Sequence, residues 1–254
     1  MLISIAQTQV FFLVLTRVLA VIIHIPNLGG QTIPTQIRIG LGLILAAILV
    51  PWTTLLSAEV ESMALLTFAA AILKEIIIGT FIGYAAILTF AVISIAGETM
   101  GIGSGFGSDR IFNPAIEQSV TPIGQLFVVI SMLYFMALNG HHISLVALQK
   151  SFSLLPVNSP LPVFSVETII RSTAQLIAVG IQIAFPIFAA LLLTDITLGL
   201  LSRVAPQVQV YFLGLPLKIG LSLFALGLSL SIFFPYLRDL FSNLGARMLS
   251  MGAF

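Results

Sequence analysis

The sequence predicts an all-α membrane protein, and three observations carry that prediction. Only 7% of the 254 residues are charged, 59% are hydrophobic, and the mean hydropathy is +1.16. Soluble domains carry about a quarter charged residues, so this chain cannot cover its surface with solvated side chains. Its apolar residues gather into segments about as long as a spanning helix requires, roughly 20 residues. They do not form the short alternating runs of a membrane barrel. Because hydrocarbon offers backbone groups no water, such segments must bond internally as helices. We expect about six of them, long and partly kinked.

The first segment, residues 3–25, stops at "IPNLGG", where Pro26 and Asn27 begin a turn. Its start, "MLISIAQTQV", has no basic n-region and no small-residue cleavage site, so we expect no removable signal peptide. The second covers residues 37–56, with Pro51 near its end. The third, residues 63–96, is long for one span and should tilt or project. It runs into "GETMGIGSGFGSDRIFNPAIEQ", residues 97–118, with five glycines in its first eleven positions and four charged residues. We read that stretch as a loop. The fourth segment covers residues 121–150, and "LLPVNSPLPVFS", residues 154–165, with three prolines, reads as a linker. The fifth, residues 166–193, should kink at Pro186, which removes a helix hydrogen bond. The sixth covers residues 217–237. The intervening "TDITLGLLSRVAPQVQVYFLGLPLKIG" is too polar to face lipid. The linker divides the chain four helices to two.

Lysine and arginine give no orientation. Arg38, Arg110, Arg203 and Lys218 fall on one side of the alternating segments, and Lys74, Lys150, Arg171, Arg238 and Arg247 on the other. The positive-inside rule needs a bias that this distribution lacks. Arg17, Lys74, Glu75, Arg171, Asp195, Arg203 and Lys218 lie within or at the edges of apolar segments. Each costs about 2.5–3.5 kcal/mol at a helix centre, against a gain of roughly 0.3–0.6 kcal/mol per large apolar residue. They should therefore face other helices, a wet cavity or another subunit, or snorkel to the interface. Arg171, Gln175 and Gln182 share one helix face and suggest a packing seam ahead of the alternative, a water-filled surface or pore wall. Gly79 and Gly83, on the face of Glu75, form a small-x-x-x-small pair suited to close helix approach.

Enzymatic chemistry finds no support. The glycine stretch has no lysine for a P-loop, and its glycine registers fail the dinucleotide pattern at Phe106 and Ser108. Ser104 lacks a glycine two residues before it, and "NGHH" at 139–142 has neither zinc-protease spacing nor a nearby carboxylate. The three aspartates form no paired membrane motif, and the chain has no cysteine for disulfides, clusters or thiolate metal sites. We expect no cofactor and no metal. With a net charge of +1 and no basic tract, nothing points to nucleic acid. Proline kinks and intramembrane charges suit a stand-alone secondary transporter, with Asp195 and Arg203 as coupling residues.

The order of landmarks is more specific. "TRVLAVIIHIPNLGGQTIPTQIRIGL", residues 16–41, resembles the arginine–proline–proline–arginine opening of the flagellar biosynthetic protein FliR family. "LKEIIIGTFIGYAAILTFAVISIAGETMGIGSGFGSDRIFNP", residues 73–114, looks like that family's KE-x-x-x-G-x-x-x-G helix and glycine loop. "NGHHISLVALQKSFSLLP", residues 139–156, and "DITLGLLSRVAPQVQVYFLGLPLKIG", residues 195–220, are similar to two further family blocks. Asp195 stands where the family usually has glutamate, and Gln209 where asparagine is usual.

The resemblance implies a non-enzymatic export-gate subunit of type III secretion in the bacterial inner membrane, at the flagellar basal body. Its partners would be the P and Q subunits, the export switch protein B, membrane lipid and unfolded exported proteins. It implies a P-like part over residues 1–153, the linker over 154–165, and a Q-like hairpin with C-terminal tail over 166–254. It also implies that the glycine stretch is a plug, built from Met100, Gly101, Ile102, Gly103, Ser104, Gly105, Phe106, Gly107, Asp109, Arg110, Ile111 and Phe112. Glycine supplies slim, adaptable backbone for that role. Met100, Ile102, Phe106, Ile111 and Phe112 would exclude water, while Asp109 and Arg110 would make polar contacts that break on opening.

Overall fold

The structure, a computed structural model, describes residues 4–30, 33–52, 63–106, 120–157, 159–162, 164–207 and 209–253. These residues are all-helical, with no strand among them. Helix α1 (Ile5–His24) opens with a reciprocal cap. Ser4 Oγ accepts from the Gln7 backbone, and Gln7 Oε1 accepts from the Ser4 backbone. It ends where Pro26 forces Ile25 into extended backbone. A single turn, α2 (Pro26–Gly29), leads to α3 (Thr35–Leu49), which starts after Pro34 and ends in a 3-10 turn, Val50–Trp52, containing Pro51. Then come α4 (Leu65–Gly103), α5 (Pro122–Ala137), α6 (Gly140–Leu154), α7 (Val166–Val204), α8 (Val210–Ser242) and α9 (Leu244–Ala253).

Three boundaries differ from the sequence reading. The segment 121–150 is two helices, because Leu138–Asn139 is a turn and Asn139 has left-handed backbone, φ 54°. Asparagine tolerates that conformation better than most residues. Helix α4 does not stop at residue 96 but continues two turns through Gly97, Gly101 and Gly103. The polar stretch after residue 193 is mostly helix, so α7 and α8 are separated only around residues 205–209. Both of these extensions keep backbone groups bonded within the helix, which outweighs unfavourable local composition.

Among the described residues, four helices are long and apolar enough to cross a membrane, or up to five if α5 and α6 are one broken span. Helices α4 and α7 have 39 residues each, or about 58 Å at 1.5 Å per residue. A helix tilted by 40° crosses a hydrocarbon layer of about 30 Å within roughly 39 Å of its length. Part of each must therefore lie outside hydrocarbon.

The chain divides into two compact units. One comprises Met1–Thr89, Asn139–Ser172 and Phe241–Phe254; the other comprises Phe90–Leu138 and Thr173–Leu240. In the first, α1 and α4 run parallel: Gln9 bonds Met63, Arg17 meets Glu75, and Gly79 and Gly83 lie against Ala20 and His24. Gly42 of α3 packs on Leu19, and Gly245 of α9 packs on Ile143 of α6. In the second, Phe127 and Phe233 meet edge to face at 4.5 Å, and Gly97 and Gly180 let α4 approach α5 and α7. Lipid removes the hydrophobic drive for helix pairing, so close packing of small residues has to supply it.

Candidate functional site

In the first unit, the ionic residues of α1 and α4 converge. Arg17 and Glu75 have fully buried side chains, and Arg17 Nε donates to Glu75 Oε2 at 2.5 Å. Arg17 Nη1 donates to the carbonyls of Ser151 (3.1 Å) and Leu155 (2.8 Å), at the end of α6. The guanidinium lies 4.4 Å from the centroid of the Phe152 ring, close enough for a cation–π attraction. Lys74 Nζ stands 3.5 Å from Glu75 Oε1 and donates to the carbonyls of Val157 (2.5 Å) and Ser159 (2.8 Å). The predicted contact residues Arg17, Lys74 and Glu75 are thus brought together.

Helix spacing makes this possible. A methyl built on Gly79 would stand 2.6 Å from Ala20 Cβ and 2.9 Å from the Arg17 carbonyl oxygen. On Gly83 it would stand 2.6 Å from His24 Cβ. A side chain at either position would collide with α1 or with His24 at its end. Burying an ion pair costs several kcal/mol per ion unless further hydrogen bonds satisfy it. The Ser151 and Leu155 carbonyls supply such bonds to Arg17 Nη1, whereas Arg17 Nη2 and Glu75 Oε1 are buried without a hydrogen-bond partner among the described residues. Arg38 does similar work outside the cluster, donating to the carbonyls of Gly30 and Ile33.

In the second unit, the root of the glycine stretch is tightly bonded. Glu98 Oε2 accepts from the Thr121 backbone N–H at 2.7 Å and from Thr121 Oγ1 at 3.0 Å. Thr121 Oγ1 accepts from Gly124 N and so caps α5. Gly97 lies against Gly124, and Gly101 against Thr121, with no room for a side chain at either. Ser104 is buried and donates its hydroxyl to the Gly101 carbonyl at 2.6 Å. Gly105 has φ +83°, the left-handed conformation that ends many helices. Met100 is buried, Ile102 is 62% exposed, and Gly103 and Phe106 are half-buried. Gly107, Asp109, Arg110, Ile111 and Phe112 lie outside the described residues.

A cavity of about 220 Å³ lies in the same unit, lined by Met100, Phe127, Ile183, Pro186, Ile187 and Phe233 among others. Farther along α7, Asp195 pairs with Lys218 of α8. Arg171, Gln175, Gln182 and Arg203 are exposed. Among the described residues, the polar side chains of the α7 stripe are thus exposed within their own units. No group of three or more histidine, cysteine, aspartate or glutamate residues suited to a metal occurs among the described residues.

Sequence reasoning missed the partners more than the participants. The carbonyls at 151–159, Phe152 and the Glu98–Thr121 bond are long-range pairings without a local signature. The local signal the sequence does hold is Thr121 followed by Pro122, a pair suited to a helix start.

The family model for bacterial export proteins, family 1, matches residues 8–244. The chain belongs to that family. Flagellar biosynthetic protein FliR of Bacillus subtilis is a family relative 31% identical over 240 residues, with 91% of this chain and 90% of the relative covered. FliR of Caulobacter vibrioides is 30% identical, covering 88% and 90% respectively. The secretion system apparatus protein SsaT of Salmonella typhimurium is 33% identical over 165 residues, covering 64% and 62%. The resemblance drawn from four sequence blocks is thus matched by relatives over nearly the whole chain.

Proposed function

We propose that this chain is a pore-forming structural subunit of a type III protein export gate, acting without catalysis in the bacterial inner membrane. The observation that carries it is the family match across residues 8–244, with FliR proteins among the relatives and a secretion-apparatus protein beside them. The fold supports it. Helices about twice as long as a hydrocarbon layer is thick, and a bare polar stripe on α7, suit a chain enclosed by other subunits. Those partners are the export-gate P and Q subunits, with the export switch protein B at the entrance and unfolded export substrates passing through. In this reading residues 1–153 are P-like and 166–254 form a Q-like hairpin and tail.

The glycine-rich stretch beginning at Met100 helps to close the conduit. Residues 101–106 include a helix end and its cap, so the informative deletion removes residues 107–111 and spares the Glu98–Thr121 root. It should let ions and small solutes leak through an assembled complex. Two measurements decide the reading: co-purification with P- and Q-type subunits in mild detergent, and solute permeability of cells carrying the deletion. A chain that purifies without companions and transports a small solute by itself in liposomes would overturn the assignment.

A further inference from the structure

The segment 154–165 reads as a linker from composition, yet several of its described residues are held by side chains of α1 and α4, while Leu154, Pro160 and Leu161 are exposed. Arg17 bonds the carbonyl of Leu155, Lys74 bonds those of Val157 and Ser159, and Phe164 stacks on Phe81 with centroids 4.2 Å apart. Lys74 and Phe81 are seven residues apart, two turns on the same side of a helix. The segment therefore follows α4 in the helix's own direction. Leu155 and Val157 are buried.

A free tether leaves its carbonyls to water. Here four carbonyls within residues 151–159, at Ser151, Leu155, Val157 and Ser159, are bonded by two cations. Two positive groups aimed at one place repel each other, and Glu75 stands between them. Its Oε2 accepts from Arg17 and its Oε1 faces Lys74. We propose that Glu75 is a positioning residue whose carboxylate holds Arg17 and Lys74 together as a clamp on residues 151–159. The clamp turns a proline-rich linker into a fixed strap and so sets where α7 begins. An ordinary ion pair needs only opposite charges on α1 and α4. A clamp needs its guanidinium on α1, because Arg17 is the group that reaches both Ser151 and Leu155.

The chain has no cysteine, so Phe81→Cys with Phe164→Cys, bridged by a bismaleimide short enough to require the two side chains to be neighbours, gives a cross-linking reporter of strap docking in the full chain in its native membrane. Adding Glu75→Gln should slow cross-linking by at least about tenfold, since an uncompensated buried cation disrupts its surroundings. The reversed pair, Arg17→Glu with Glu75→Arg, should do no better. Unchanged cross-linking with Glu75→Gln, or recovery in the reversed pair, would overturn the clamp. If Glu75→Gln does not accumulate, Lys74→Met decides, because it leaves Arg17 and Glu75 paired. It should slow the same cross-link, and an unchanged rate would count against the proposal. The readout is independent of export, so it stands apart from the functional assignment.

Discussion

The α1–α4 seam and the α7–α8 hairpin carry similar polar residues in apolar helices and treat them in opposite ways. At the seam, Arg17 and Glu75 are wholly buried, and Lys74 is largely covered. On the hairpin, Arg171, Gln175, Gln182 and Arg203 are exposed, and Asp195, itself exposed, is paired with Lys218. One region settles its polar groups within the chain, and the other presents them outward. Polar groups cannot face lipid at depth without cost, so the difference separates a part whose charges are met within the chain from one whose polar groups are left to water or to neighbours.

The comparison breaks most readily at Arg17. Arg17→Leu strands Glu75 and two carbonyls, and removing one partner of a buried pair costs about 3–5 kcal/mol. The amount of chain in membranes, read by immunoblot, should fall more than about tenfold. Next is Gly79→Val, which forces α1 away from α4. It should cost about 1–3 kcal/mol, visible as a lower Tm in detergent. Thr121→Val removes a helix cap and a Glu98 partner, for a loss of about 0.5–2 kcal/mol by the same assay. Lys218→Met removes a pair whose carboxylate is exposed, and its effect on Tm should correspond to less than about 1 kcal/mol. The smallest change in stability, within about 0.5 kcal/mol, is expected of Gln175→Leu with Gln182→Leu. These two should instead reduce co-purification of partner subunits. Loss of the chain itself would mean that the stripe is internal structure after all.

Helix content and the position of most segments were legible because hydropathy and proline act locally. Helix ends were less so. Glycines at 97, 101 and 103 look like a loop, but Gly97 and Gly101 are fitted against Gly124 and Thr121, a fact of tertiary packing. The break at Asn139 sits inside an unbroken apolar run, and only its left-handed backbone shows it. At the site, charge in an apolar context singled out Arg17, Lys74 and Glu75, whereas their carbonyl partners lie on backbone that no side-chain pattern reveals. The i, i+4 spacing of Gly79 and Gly83 was legible because that geometry is local to one helix, whereas their neighbours Ala20 and His24 were not.

The parallel course of α1 and α4 sets a parity rule for the polypeptide's path. Two successive passages in the same direction require one return between them, and α3 is the described helix available for it. Its fifteen residues measure about 22 Å, short of a hydrocarbon layer of roughly 30 Å. With the 3-10 turn Val50–Trp52 added at about 2 Å per residue, the described return reaches about 28 Å, barely one hydrocarbon thickness, and has little length to spend on tilt.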